Sequence, residues 1–233
     1  MTGPWPARAI LLDLDGTLLD TAPDLAAAIN AMLVELDRPT VDVATVAGWV
    51  GKGADVLVHR ALTGSFEQRA EVALFERAKA SFYRHYRLLN GRAAVLFDGV
   101  LAALDQWRAK GLALACVTNK PREFTHPLLA HFKLTDRLDA VVSGDDTVEK
   151  KPHAAPLLAA CQRLGVLPAD AVMVGDSEND LLSARAAGCR VVLVEWGYNE
   201  GRPVSALPAD AIVAALADAV ALVAAPGGHP SKP

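Results

Sequence analysis

Cysteine is scarce in this chain: of 233 residues only Cys116, Cys161 and Cys189 are cysteine. An odd number with no C-x-x-C spacing excludes a disulfide framework, and three buried or half-buried thiols in a reducing compartment are expected. No apolar stretch reaches the ~18 residues that a membrane span requires. Ahead of Asp13 the only apolar run is Ile10–Leu12, too short for the hydrophobic part of a signal peptide, so a cytoplasmic protein is expected. Charge of one sign is also lacking: the net charge is −4 and the isoelectric point about 5.9, which argues against a general nucleic-acid binder. Neither a Gly-x-Gly-x-x-Gly nor a Walker loop occurs, so no nucleotide cofactor is implied. There is no internal repeat. What the chain does have is 52% hydrophobic residues, enough to bury the core of one enzyme-sized unit.

Asp13-Leu14-Asp15-Gly16-Thr17 follows directly on the apolar run Ile10-Leu11-Leu12. If Ile10–Leu14 is a strand, its period of two puts Asp13 and Asp15 on one face, about 7 Å apart, and Gly16 lets the backbone turn away. Two carboxylates at the end of a buried strand repel each other and lose hydration, so they need a cation or a proton between them. An EF-hand calcium loop is excluded, because the fifth position carries no acid and the twelfth no Glu.

Other strand-like runs end in polar clusters of their own. Gly111–Val117 ends at Thr118-Asn119-Lys120-Pro121, and Leu138–Val142 leads through Ser143-Gly144-Asp145-Asp146 to Lys150-Lys151-Pro152. Ala171–Val174 ends at Gly175-Asp176-Ser177-Glu178-Asn179-Asp180, and Arg190–Val194 at Glu195-Trp196-Gly197. Continuous Val/Leu/Ala runs without alternation indicate strands buried on both faces, hence a parallel sheet. Helical patterns lie between them at Gly99–Lys110, Arg122–Phe132, Ala154–Leu164 and Asn179–Ala187. The expected fold is therefore α/β, an open parallel Rossmann-like sheet whose ligands bind beyond the carboxyl ends of the strands.

Between Thr17 and about Ala93 only helical patterning appears. Thr21-x-x-Asp24 reads as a capping-box-like start with Pro23 in the first turn. Leu25, Ile29, Met32, Leu33 and Leu36 form a helical stripe, and Ala54–Leu62 and Glu67–Leu88 read as further helices. The expected organisation is a core of residues 1–20 and 93–225, a helical cap over 21–92 joined through linkers near Thr17–Thr21 and Gly91–Val95, and a disordered Pro/Gly-rich tail over 226–233. From Lys52 to Arg92 eight Lys/Arg stand against four acids. Most of these suit solvated helix faces, whereas Lys52, between Gly51 and Gly53, is a candidate for the substrate. The six histidines show no metal-ligand spacing, and His153 suits a helix cap.

Taken in order, Asp13-Leu14-Asp15-Gly16-Thr17, Thr118-Asn119, Lys151-Pro152 and Gly175-Asp176-Ser177-Glu178-Asn179-Asp180 resemble the four motifs of the haloacid dehalogenase superfamily of phosphotransferases. Within it the chain is most similar to the phosphoglycolate phosphatases, in Thr21-Ala22-Pro23-Asp24-Leu25, Gly48-Trp49-Val50-Gly51-Lys52-Gly53, Val117–Pro121, Lys150-Lys151-Pro152-His153 and Gly197-Tyr198-Asn199. It departs from them in Leu96-Phe97-Asp98-Gly99-Val100, where a Tyr-Pro-Gly-Val type is usual, and in Ala154 for a usual Pro. Neither departure touches chemistry.

The resemblance implies a phosphomonoester hydrolase with 2-phosphoglycolate as substrate, no nucleic-acid or membrane partner, and a monomeric or homodimeric state. A phosphate monoester is among the slowest substrates to hydrolyse unaided, and an aspartyl-phosphate on Asp13 divides the reaction into two easier steps. Hard oxygens from Asp13, Asp176 and, by the resemblance, the main-chain carbonyl of Asp15 suit Mg²⁺, with Asp180 supporting that shell. Asp15 is the candidate general acid and base, Thr118 and the backbone around Asn119 the phosphoryl donors, and Lys151 the neutralising cation. Other small-substrate enzymes of the superfamily, a phosphomutase, pyrophosphatase or nucleotidase, share this chemistry. A receiver-like signalling module also combines these residue types, but the acid two positions after Asp13 and the helical insertion argue against it.

Overall fold

The computed structural model describes residues 4–226. Of the expected tail, all but Pro226 lies outside the described residues.

The chain enters through a two-residue strand, β1 (Trp5–Pro6), and then β2 (Ala9–Leu12), which is fully buried. After the Asp13–Leu18 turn come β3 (Leu19–Asp20) and four helices, α1 (Ala22–Glu35), α2 (Val43–Trp49), α3 (Ala54–Thr63) and α4 (Val72–Leu89). The chain returns through β4 (Val95–Leu96), antiparallel to β3. Strand and helix then alternate: α5 (Val100–Ala109), β5 (Ala113–Val117), α6 (Arg122–His131), β6 (Ala140–Val142), α7 (Ala155–Leu164), β7 (Ala171–Gly175), α8 (Glu178–Ala187) and β8 (Arg190–Val194). The closing elements are β9 (Ala211–Val213), α9 (Leu216–Ala221) and β10 (Val223–Ala224), the last paired parallel with β1.

The main sheet has six strands in the order β6-β5-β2-β7-β8-β9, all parallel. Its strands are buried on both faces because helices cover both. Ile10 and Leu12 of β2, with Leu114, Val172 and Val192, pack against Trp107 of α5, Leu128 of α6 and Leu216 of α9. The alternate residues Ala9 and Leu11, with Ala115, Met173 and Val191, pack against Leu157 of α7 and Leu181 of α8. The sheet is thus the middle layer of three, as continuous apolar runs require. All three cysteines are free and buried.

Helices α1 to α4 enclose a separate apolar cluster that includes Ile29, Met32, Trp49, Val58, Phe82 and Tyr86. The expected start at Glu67 falls at Val72 instead, where the Glu71 carboxylate accepts from the N–H groups of Ala73 and Leu74. Helix α2 and the β3–β4 ribbon, which the sequence pattern leaves out, are seven and two residues long, too short to show a period. The expected capping box at Thr21 and Asp24 does not form. The Asp24 carboxylate accepts from the N–H groups of Gly91, Ala93 and Ala94 at 2.7, 2.6 and 3.2 Å, and so fastens the returning linker to α1. Among the described residues no helix is long and apolar enough to cross a membrane.

Candidate active site

Strand β2 lies between β5 and β7, so the carboxyl ends of these three strands converge on one edge. The strand ends at Leu12, two residues earlier than expected, and Asp13 continues it with an N–H donated to Val174 O at 3.0 Å. Asp15 follows in the turn. Gly16 takes φ +89°, and a Cβ there would fall 2.2 Å from Asp176 Oδ2. Only glycine allows both the left-handed turn and the close approach of the two acidic loops. Gly197 is the counterpart on the other side, where a Cβ would sit 2.0 Å from Asp176 Cβ.

Lys151, from the loop after β6, reaches the centre with its side chain 2% exposed, 2.8 Å from Asp13 Oδ1 and 2.7 Å from Asp180 Oδ1. The other Asp180 oxygen, Oδ2, accepts from the backbone N–H of Asp176 and from the N–H and hydroxyl of Ser177, which closes the first turn of α8. Asp180 is therefore committed to donors through both oxygens and acts by holding Lys151 and the Asp176 loop. On Asp176, Oδ2 accepts from Tyr198 N–H at 2.7 Å, while Oδ1 has only the long 3.4 Å contact of Thr17 Oγ1. Asp13 and Asp176 thus retain free carboxylate capacity.

Oxygens of Asp13, Asp176 and Asp180 lie within 4.8 Å of one another, all three residues buried. Burial, and after it the opposed effects of Lys151 and Asp180, lifts the Asp13 carboxyl to about 7. Burial together with Asp180 and Asp13 lifts Asp176 well above the usual carboxylate range. Burial disfavours the Lys151 charge, but Asp13 and Asp180 outweigh it and hold the ammonium protonated. With all three acids ionised, the one buried ammonium would leave negative charge uncompensated, and this donor set fits a divalent cation.

Around this centre a cavity, partly open to solvent, is lined by Asp13, Asp15, Thr118, Asn119 and Lys120 from the sheet edge. Leu25, Val50, Leu57, Phe82, Tyr86 and Phe124 line it from the helices. The Thr118 side-chain oxygen accepts from Lys120 N–H at 3.1 Å, so its own proton is available to a ligand. The Asn119 side chain is a clamp rather than a ligand contact. Its amide donates to Gly51 O and Lys151 O and its oxygen accepts from Lys151 N, each at 2.9 Å. Asp15 Oδ1 accepts from Thr21 Oγ1 at 2.6 Å and Lys120 Nζ at 2.9 Å.

Lys52 does not line this cavity. Its ammonium pairs with Glu200 Oε1 at 2.9 Å, and the buried Arg60 meets the same oxygen at 2.5 Å. The Gly51–Gly53 loop faces the site with its backbone and turns the Lys52 side chain toward the Tyr198–Glu200 loop instead. Three residues that the sequence did not assign to the site hold positions here. Lys120 and Tyr86 line the cavity, and Tyr198 serves Asp176 through its N–H and the β3–α1 linker through its hydroxyl. That hydroxyl accepts from Thr21 N and Ala22 N and donates to Asp20 Oδ1. The signal for Lys120 was its place beside Thr118 and Asn119 at the same strand end. Tyr86, on the expected Glu67–Leu88 helix, and Tyr198, between Gly197 and Asn199, both read as packing residues, because an aromatic side chain carries no mark of where its hydroxyl points. His153 accepts from Ala155 N–H at the start of α7, from one residue ahead of the N-cap Ala154.

An open parallel sheet with an aspartate-rich edge, a buried lysine and a helical insertion after the first strand defines an aspartate-based α/β hydrolytic enzyme. The chain belongs to the haloacid dehalogenase-like hydrolases, whose family profile matches residues 10–194. It is 46% identical over 220 residues to a phosphoglycolate phosphatase of Thiobacillus denitrificans, covering 94% of this chain and 97% of that one. It is 47% identical over 220 residues to one from Nitrosospira multiformis, with the same coverage of 94% and 97%. Among solved structures, a predicted phosphoglycolate phosphatase from Haemophilus somnus superposes with a TM-score of 0.86 at 34% identity, covering 92% of this chain and 96% of that one.

Proposed function

We propose that this chain is a Mg²⁺-dependent phosphomonoester hydrolase that converts 2-phosphoglycolate to glycolate and phosphate. The observation that carries the reading is the cavity. Its phosphoryl end holds Asp13, Asp15 and Thr118, while its far wall is apolar apart from Lys120 and Tyr86. A sugar or nucleoside would leave several hydroxyls unpaired against Leu25, Leu57, Phe82 and Phe124, at a cost of about 1–3 kcal/mol each. A short acid brings no hydroxyls and a single carboxylate, which Lys120 and Tyr86 could meet. The relatives' names agree with this choice.

In this reading Asp13 attacks phosphorus and Asp15 protonates the leaving oxygen, then deprotonates the water that hydrolyses the aspartyl-phosphate. Thr118 donates to a phosphoryl oxygen, and Lys151 keeps Asp13 oriented and offsets the charge of the transferring group. Asp13 and Asp176, with the main-chain carbonyl of Asp15, are the residues that would hold Mg²⁺, which when bound screens the attack of one anion on another. Asp180 holds Lys151 and the Asp176 loop in place. The helices α1 to α4 act as a cap. Asn119 to Gly51 and Glu200 to Arg60 and Lys52 tie them to the core, so this arrangement is the shut one, which keeps stray water from the intermediate.

The test is phosphate release by the purified protein across phosphorylated acids, sugars and nucleotides. The highest kcat/KM is expected for 2-phosphoglycolate, by at least about 10-fold. Preference for a sugar phosphate or nucleotide, isomerised rather than hydrolysed product, or a single stoichiometric phosphorylation without turnover would each overturn the reading.

A further inference from the structure

The glycolate end of the proposed substrate carries a carboxylate, and a largely apolar cavity must supply partners for it. The cations nearby are mostly committed. Lys151 is paired with both Asp13 and Asp180 and does not line the cavity, and Lys52 and Arg60 share Glu200. Lys150 brings its Nζ to 3.2 Å from the Cβ position of Gly53 but does not line the cavity. Among the described residues that line it, Lys120 supplies the one ammonium.

Lys120 is held for such a task. Its side chain is 3% exposed, and Nζ lies 2.9 Å from Asp15 Oδ1, 2.5 Å from the Tyr86 hydroxyl and 4.8 Å from the centroid of the Tyr86 ring. An ammonium has three donors, and these partners use two. Tyr86 is itself buried, and burial, then Asp15 and Asp24, holds its phenol well above the ordinary range, so it keeps its proton. That hydroxyl accepts from Lys120 and, among the hydrogen bonds of the described residues, its own proton has no acceptor. A buried O–H without an acceptor beside an ammonium with a spare N–H is a pair of donors waiting for one anion.

We propose that Lys120 and Tyr86 form the carboxylate subsite, with Lys120 as the residue that sets selectivity for an anionic leaving group. The proposal rests on the phosphoglycolate reading above. Lys120 also faces Asp15, so its removal disturbs the leaving-group step for every ester. Selectivity separates the two roles, because only the subsite role depends on charge at the far end of the substrate.

The experiment compares 2-phosphoglycolate with ethyl phosphate, which has the same chain length and no far charge, and with phosphoethanolamine, whose far end is cationic. For Lys120→Met, the ratio of kcat/KM for phosphoglycolate over ethyl phosphate should fall by about 10- to 100-fold, the loss expected of a charge-assisted hydrogen bond, with most of it in KM. Phosphoethanolamine should gain relative to ethyl phosphate. Tyr86→Phe keeps the ring and the cation–π contact, and should lower the same ratio by about 3- to 10-fold. It carries the test if Lys120→Met does not fold. An equal loss on all three esters, or an unchanged ratio in both variants, would overturn the subsite. A parent enzyme that does not favour phosphoglycolate over ethyl phosphate would instead overturn the substrate assignment.

Discussion

Asp13 occupies a position in which chemistry and stability pull in opposite directions. Its carboxyl is buried, shares Lys151 with Asp180, and is lifted to about 7 by burial first of all. A group so placed is poorly stabilised when charged, yet the nucleophilic attack proposed for it needs the charged form. Asp13→Asn relieves the repulsion and leaves Lys151 with Asp180 as its partner. The variant should therefore fold as stably as the parent without added cation, while kcat falls by at least about 10⁴-fold, since an amide cannot form the acyl phosphate. Thermal unfolding and phosphate release on one preparation check both halves. Retention of a tenth of the activity, free of contaminating phosphatase, would remove Asp13 from the nucleophile's role.

At the scale of elements, the parts that could be read from sequence are those whose environment imposes a pattern. The strand Arg190–Val194 is found where expected, and α5, α6, α7 and α8 begin and end within a residue of their expected bounds. Burial on both faces or a helical stripe dictated their composition. Asp13, Asp15, Thr118 and Asp176 stood out in the sequence because each follows closely on a strand, where the topology leaves a single edge for polar residues, whereas Lys151 lies well past β6 in its loop and stood out with its motif. Partner choice for long side chains was not legible. Lys52 and Lys120 both sit in polar loops, and only the fold decides that one meets Glu200 and the other Asp15. Asp24 shows the same limit, because its acceptors' partners lie almost seventy residues on, at Gly91, Ala93 and Ala94. Asp24 is 2% exposed and its bonds from Gly91 and Ala94 are buried, so those two N–H groups have no water to turn to. Asp24→Ala should cost about 3 kcal/mol or more in urea unfolding, the scale for stranded buried donors that had a charged acceptor. A loss below about 1 kcal/mol would mean that the β3–β4 ribbon alone secures the linker.

For the whole molecule, the proposed cation site predicts a stability that depends jointly on pH and on a divalent cation. Burial raises Asp13 to about 7 and, with its acidic neighbours, raises Asp176 further above its usual range. In the unfolded chain both would lose their protons near pH 4. Between about pH 4 and 7 the cation-free folded state therefore binds more protons than the unfolded state, and its stability falls as pH rises through that window. His59 acts with the opposite sign. Burial first, then Arg69, lowers its pKa, so its contribution is lost as pH falls below about 6.5. Comparing melting temperatures with Mg²⁺ and with chelator at each pH cancels His59, which lies away from the acids and is bonded to Ala70 N–H. A cation binds the deprotonated acids, so its stabilisation should be small at pH 5.5 and grow toward pH 8. There, at about 100 times Kd, it amounts to ~2.7 kcal/mol, or about 5–10 °C in Tm. Asp176→Asn should flatten the difference at every pH, because it removes both the proton site and the ligand. A cation effect that is independent of pH, or that survives in Asp176→Asn, would place the ion outside the Asp13–Asp176 pair.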